Sequence, residues 1–196
     1  MMRPRDIVLV VDDSPATLGL LNEALEQAGY TLLIAQSGTA ALTLVDRVTP
    51  DIVLMDALMP GLDGFETCRR MKQNPILKAV PIIFMTGLTE TEHVLRGLDA
   101  GGVDYVPKPV APDEVVARIG VHLANARLTR SAQVALDAAG RYLLAADRDG
   151  KVLWATPQAS RLIEEASGAA CVTLPASVVQ WLRGAPTAPP RCGRPA

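Results

Sequence analysis

Cysteine is scarce in this chain of 196 residues, which contains three: Cys68, Cys171 and Cys192. Their number is odd and their spacing is wide, so they fit neither a disulfide framework nor the closely spaced ligand pairs of a zinc site. Charge is also modest, because 20% of the residues are charged against 49% that are hydrophobic. That balance excludes a wholly disordered chain and predicts a protein with a buried core.

Long apolar runs are missing too. Ile7–Val11, a run of five residues, is typical of the longest ones and falls far below the roughly 18 residues that a membrane-spanning helix needs. Asp12 and Asp13 follow this run, where a signal peptide would carry small cleavage-site residues. We therefore expect a cytoplasmic protein with no signal peptide and no membrane partner.

The charges are unevenly divided along the chain. Residues 1–127 carry 16 acidic and 11 basic side chains, whereas residues 128–196 carry 5 acidic and 8 basic ones, so the net charges are −5 and +3. The acidic segment has no electrostatic reason to bind nucleic acid, and the basic charges of the second segment are scattered. We expect no direct nucleic-acid binding by this chain.

Apolar, β-branched strands alternate five times with amphipathic helices in the first 127 residues. The predicted strands cover 7–11, 31–35, 51–55, 81–85 and 105–106, and the first four predicted helices cover 14–29, 37–48, 64–71 and 90–100. A last helix is predicted to begin at Pro112 and to run through Leu123, with no clear stop near 127. This alternation predicts an α/β domain over residues 1–127, with a parallel sheet that helices cover on both faces.

The pattern changes after residue 127. Val121, Leu128 and Ala135 are spaced seven apart, which is compatible with a helical linker over 128–139 that resembles a coiled coil, although a plain linker fits equally well. Asp149-Gly150 between two apolar runs predicts a hairpin, with a helix after it and a short helix over 176–182.

We expect a small α+β unit over 140–183. The tail 184–196 has four prolines and two glycines and is predicted to be disordered.

Polar residues stand where four of the predicted strands end. Asp12 and Asp13 follow the first strand, Asp56 ends the third, Thr86 ends the fourth and Lys108 follows the fifth. In an open parallel sheet these ends face one crevice. Clustered carboxylates repel one another unless a cation lies among them, and oxygen ligands suit Mg²⁺. With a lysine and a hydroxyl beside it, such a site can transfer phosphate onto a carboxylate.

The segments VVDDS, LMDALMPGLDG, FMTG and DYVPKP resemble the signature segments of the response-regulator receiver domain over about residues 5–127. The resemblance implies a flavodoxin-like, doubly wound five-stranded parallel sheet. It implies that Asp56 is the phosphoacceptor, that Thr86 hydrogen-bonds the phosphoryl group and that Lys108 pairs with it. The Lys108–Pro109 bond resembles the cis peptide of that family.

The same resemblance implies a Mg²⁺ site and a switch. Asp12, Asp13 and Asp56 would bind the ion, directly or through water, together with the backbone carbonyl of Leu58. Thr86 and Tyr105 match the switch positions of the family. His93 and His122 lie on predicted helices away from the strand ends, so we assign them no phosphodonor role.

The implied function is a two-component response regulator that accepts a phosphoryl group from a sensor histidine kinase. It would catalyse only its own phosphorylation and dephosphorylation, and we expect a phosphorylation-dependent homodimer. Two outputs remain open: transcription, through a DNA-binding domain absent from this chain, or protein–protein contact by a stand-alone adaptor. Residues 140–166 resemble the opening of a PAS domain, which 140–183 could contain only in part.

Overall fold

The computed structural model describes residues 5–87, 96–138, 140, 142–167, 173–174 and 178–180. The chain divides into two compact units, Met1–Leu128 and Thr129–Ala196. Most of the helix predicted over 90–100, most of the one over 176–182 and the whole tail 184–196 lie outside the described residues.

The first unit is built on the five-stranded parallel sheet that the alternation predicted. Its strands are β1 (Ile7–Val11), β2 (Thr31–Ala35), β3 (Ile52–Asp56), β4 (Ile82–Thr86) and β5 (Asp104–Pro107). They lie in the order β2-β1-β3-β4-β5, and every pair is parallel. The chain winds outward in both directions from β1 and β3, so a crevice opens beyond the carboxyl ends of these two strands.

Helices cover both faces of this sheet, as expected. They are α1 (Pro15–Gln27), α2 (Gly38–Val45), α3 (Gly64–Gln73), α4 (96–99) and α5 (Pro112–Ala138). Buried side chains of α1 and α5, such as Leu21 and Ile119, share one core cluster, whereas α2 and α3 contribute Ala41 and Phe65 to the cluster on the opposite face. Ser14 caps α1 by accepting a hydrogen bond from the Thr17 N–H.

Helix α2 is shorter than predicted. The apolar spacing of 37–48 predicts a helix that buries Val48, but α2 ends at Val45 and Val48 is 37% exposed. The N–H groups of Arg47 and Val48 both bond the Leu44 carbonyl, each at 3.0 Å. This tight turn carries Val48 off the apolar face of the helix.

The second unit contains a hairpin and a helix. β6 (Leu144–Ala146) and β7 (Val152–Ala155) pair antiparallel, and α6 (Pro157–Ser167) follows. Gly150 has φ +83, a conformation that glycine adopts without strain, and the Asp147 carboxylate accepts from the N–H groups of Asp149 and Lys151. The hairpin around Asp149-Gly150 and the helix after it thus lie where the sequence predicts them.

Helix α5 runs without interruption for 27 residues, from the first unit into the second. Among the α5 residues whose burial is described, Val115, Ile119 and Leu123 are buried, and they recur every fourth position. From residue 127 to its end, the residues whose burial is described are all exposed. No helix in the described part of the chain is long and apolar enough to span a membrane.

Cys68 of α3 is fully buried beneath the end of α4. Its Sγ lies 3.2 Å from the Ala100 carbonyl oxygen. Burial raises the pKa of this thiol to about 11, so it stays protonated at neutral pH and is chemically inert in the folded protein.

Gly64→Ala tests the close approach of α3 to the end of β3. A Cβ at Gly64 would lie 2.0 Å from the Asp56 carbonyl oxygen, whereas one at Gly19 in α1 meets nothing within 4 Å. Gly64→Ala should therefore lower the free energy of unfolding by about 1–3 kcal/mol. The matched control Gly19→Ala should raise it by up to about 1 kcal/mol. Urea denaturation measures both, and equal effects would contradict the close-approach argument.

Candidate functional site

The residues at the carboxyl ends of the strands meet at one edge of the sheet. Asp12, Asp13 and Asp56 offer carboxylate oxygens that all lie within 4.8 Å of one another. Asp12 is fully buried and Asp56 is 5% exposed, whereas Asp13 is exposed. The structure therefore brings together the three carboxylates that the sequence singled out.

Lys108 bridges two of these carboxylates. Its Nζ lies 2.8 Å from Asp12 Oδ2 and 2.7 Å from Asp56 Oδ2. The Lys108 N–H donates to the Thr86 carbonyl at 2.8 Å, and the Lys108–Pro109 peptide is cis. The backbone around the lysine is thus fixed to the neighbouring strand, and its side chain reaches across β4 to the ends of β3 and β1.

The second oxygen of each bridged carboxylate is held by a backbone N–H. Asp12 Oδ1 accepts from the Ser14 N–H at 2.8 Å, and Asp56 Oδ1 accepts from the Leu58 N–H at 3.1 Å. The loop that carries Leu58 therefore folds back onto Asp56. Its Leu58 side chain is 51% exposed, and the metal-binding role of the Leu58 carbonyl stays a prediction.

Burial and charge act against each other at this site. Burial raises the pKa of Asp56 above its ordinary value, although the hydrogen bonds from Lys108 and the Leu58 N–H pull it down. Burial also lowers the pKa of Lys108, but its hydrogen bonds to Asp12 and Asp56 outweigh burial, and the net pKa is raised. The ammonium therefore stays charged, while a further positive charge would favour the ionised form of Asp56.

The donor set fits a Mg²⁺ ion. It consists of oxygen ligands alone, and one ammonium offsets only part of the negative charge of three carboxylates. A hard divalent cation prefers such ligands and would remove the remaining repulsion. Asp12, Asp13 and Asp56 are the residues that would hold it.

Thr86 and Tyr105 line one cleft together with Ala57, the residue after Asp56. Thr86 is 6% exposed at the end of β4, and Tyr105 on β5 is 46% exposed. This shallow open cleft lies between them and α4; it is lined by Ala57, Phe65, Phe84, Thr86, Gly97, Leu98, Asp104 and Tyr105. An exposed aromatic ring therefore stands next to space that is bounded by a buried hydroxyl-bearing residue.

The sequence did not single out a charged network on β5 and α5. Asp104 Oδ2 lies 2.8 Å from Arg118 Nη1 and 2.9 Å from His122 Nε2, and Arg118 also donates to Glu114. Burial raises the pKa of Asp104, but the hydrogen bonds from His122 and Arg118 outweigh it and lower the pKa overall. His122 thus contacts a carboxylate, a role that its position on a predicted helix did not reveal.

Comparison with known proteins places the site in context. The family model of the response regulator receiver domain matches residues 8–120. The DNA-binding response regulator MtrA of Mycolicibacterium smegmatis is 39% identical over 119 residues, which are 61% of this chain and 51% of that protein. The response regulator PleD of Caulobacter vibrioides is 37% identical over 112 residues, 57% of this chain and 25% of that protein. The chain spans about half the length of the MtrA relatives that it matches.

Solved structures of receiver domains also superimpose on this chain. A CheY-like receiver domain protein from Methanospirillum hungatei superimposes with a TM-score of 0.61 at 25% identity, over 64% of this chain and 99% of that one. The receiver domain of the Francisella response regulator 1452 gives 0.58 at 29% identity, over 62% and 98%. Both similarities span nearly the whole of the solved chain.

Asp13→Ala tests the metal site. Because it removes one of three repelling carboxylates, the variant should be more stable than wild type in the presence of a chelator. Mg²⁺ at 100 times its Kd would stabilise the wild type by about 2.7 kcal/mol, and the variant should lose most of that gain. Thermal unfolding with and without Mg²⁺ measures both effects, with Asp99→Ala, an exposed carboxylate of α4, as the control. An Asp13→Ala variant that keeps the full Mg²⁺ gain would contradict the assignment.

Proposed function

The chain belongs to the response-regulator receiver family, and from that premise we propose that it accepts a phosphoryl group on Asp56 from a sensor histidine kinase in a Mg²⁺-dependent reaction. Receiver domains generally act as phosphoacceptor signalling domains rather than as enzymes with separate substrates. The observation that carries the proposal is the bridge from Lys108 to Asp12 and Asp56, at 2.8 and 2.7 Å, within the three-carboxylate cluster.

In the proposed reaction, a carboxylate oxygen of Asp56 attacks the phosphorus of a phosphohistidine. An O–P bond forms, the P–N bond breaks, and the electron pair returns to the imidazole of the kinase. A bound Mg²⁺ would supply positive charge to the carboxylates and to the phosphoryl oxygens. The Leu58 N–H orients Asp56, and the Lys108 ammonium is near enough to pair with a phosphoryl oxygen once Asp56 carries an acyl phosphate.

Phosphorylation would be sensed beside the cleft. The phosphoryl group adds strong acceptor oxygens, toward which the Thr86 hydroxyl can donate. Its movement would clear space for Tyr105, which borders the same cleft. The surface altered in this way contains α4, β5 and α5, including the Asp104–Arg118 ion pair, and we propose that it mediates a phosphorylation-dependent homodimer.

We propose transcription as the controlled output, because the MtrA relatives at 38–39% identity are named as DNA-binding response regulators. A DNA-binding module outside this sequence would carry it out. A second candidate is an adaptor that acts through protein contact. It is favoured by the unit that follows Leu128, whose strand, turn, strand and helix are in the order with which a PAS domain opens.

Asp56→Asn tests the acceptor. Treatment with a small phosphodonor and Mg²⁺ should add one phosphoryl group to the wild type, as intact-protein mass spectrometry detects, and none to Asp56→Asn, because the amide is not nucleophilic. Asp63→Asn is the matched control, since Asp63 lies in the following loop and caps α3, a role that asparagine also fills. A phosphoryl group retained by Asp56→Asn would show that another residue is the acceptor.

Sedimentation tests the dimer. Beryllofluoride, a phosphoryl mimic, should strengthen self-association of the wild type at least tenfold, which corresponds to about 1.4 kcal/mol of differential binding. Thr86→Ala should reduce this increase, because it removes the hydroxyl that senses the phosphoryl group. Arg118→Ala should reduce the increase by breaking the network on α5. Equal association constants with and without the mimic, at full occupancy of Asp56, would contradict the dimer.

A further inference from the structure

Few apolar side chains of the second unit are fully buried among its described residues, although Leu143, Trp154 and Ile163 are half-buried. Among the unit's described residues, Ala159 and Leu174 are the buried hydrophobic ones, at 3% and 6% exposure. Seven larger ones are between 37% and 65% exposed: Val134, Leu136, Tyr142, Leu144, Leu153, Leu162 and Val178. In the first unit, by contrast, the sheet lies between two extended buried clusters.

Each helix or hairpin of this unit would be only marginally stable by itself. A two-stranded hairpin has little stability in water without further strands or a helix on its faces. The last three turns of α5, from residue 127 onward, have no buried residue among those whose burial is described, and an isolated helix of that length is marginal too. The exposed side chains on the hairpin and on both helices therefore need an apolar cover.

We propose that a second copy of this chain supplies the cover, in a dimer formed through the second unit. Val134 and Leu136 lie on opposite sides of α5 because they are two positions apart in one helix, so one face can use only one of them. The other five side chains and one of these two expose on the order of 550 Å² per chain, so two copies offer roughly 1,100 Å², near the lower bound for a stable interface. Burial of that apolar surface between two copies would stabilise the dimer through the hydrophobic effect.

The charges of α6 favour a copy of itself as the occupant. Exposed Leu162 is flanked by Arg161 and Glu165, which lie one turn apart, and no ion pair joins those two charges in the described structure. Two antiparallel α6 helices would bring Leu162 into contact with the partner helix. They would also set Arg161 of each copy opposite Glu165 of the other, as a two-fold interface requires.

This interface does not depend on the state of Asp56, so it goes beyond the phosphorylation-dependent dimer. In a pair already joined through the second unit, association of the two receiver surfaces becomes intramolecular. Phosphorylation would then act at a high effective concentration of the partner receiver. Phosphorylation of such a dimer would change how its two receiver units associate and would leave the number of chains unchanged.

Sedimentation equilibrium of the full chain, in chelator and without phosphodonor, tests the proposal. Wild type and Asp56→Asn should both dimerise, and Leu162→Lys or Leu153→Lys should raise the dissociation constant at least tenfold. Ile76→Lys is the matched control, because Ile76 is 69% exposed on the first unit, and it should change nothing. A wild type that stays monomeric throughout the accessible concentration range overturns the proposal, as does a dimer that Arg118→Ala dissociates while the Leu162 and Leu153 variants leave it intact.

An exchange of charges on α6 distinguishes loss of the interface from unfolding of the second unit. Arg161→Glu and Glu165→Arg should each weaken the dimer, and the double variant should restore it to near wild-type affinity, since each copy again presents opposite signs. Failure of the double variant to recover overturns the assignment of α6 to the interface. Phosphoryl transfer to Asp56 is measured separately, so loss of this dimer and loss of the proposed function are distinguishable.

Discussion

One ammonium group between two buried carboxylates governs the architecture of the first unit. Lys108, which directly follows the edge strand β5, must reach past β4 to meet Asp56 on β3 and Asp12 after β1. The long lysine stem spans that distance, and the end of β4 leaves room for it, with a glycine after Thr86 whose Cβ position is empty of neighbours. Without the ammonium, two nearly dry carboxylates would repel each other, with one backbone N–H group each to stabilise their charge.

The sheet could be predicted because its signals are local and strong. Runs such as Ile52–Asp56 are buried along their whole length, and that burial on both faces is what a continuous apolar run indicates. Helix ends were harder, as α2 shows: Val48 continues the apolar spacing, but the bonds to Leu44 turn the chain before it. Apolar periodicity indicates which residues prefer to be buried, but it does not indicate where a hydrogen-bonded turn ends the helix.

The carboxylates, Thr86 and Lys108 could be found in the sequence because topology brings them together: each follows a strand, and parallel strands end at one edge. The network of Asp104, Arg118 and His122 had no comparable signal. Arg118 and Asp104 are 14 positions apart on different elements, and single charges on the surface of a helix are ordinary. Only their geometry shows that a helix and the edge strand are joined at the surface that borders the Tyr105 cleft.

The buried thiol of Cys68 can report local opening of the chain at the end of α4 through its rate of alkylation. With a pKa of about 11 and no exposed surface, this sulfur meets an alkylating reagent only when the segment around Ala100 opens. The modification rate of that one peptide therefore reports the opening free energy of the helix end that borders Gly101 and Gly102, while the sheet beneath it stays folded. The local opening of this receiver unit can thus be followed at Cys68, a side chain that takes no part in the proposed phosphoryl transfer.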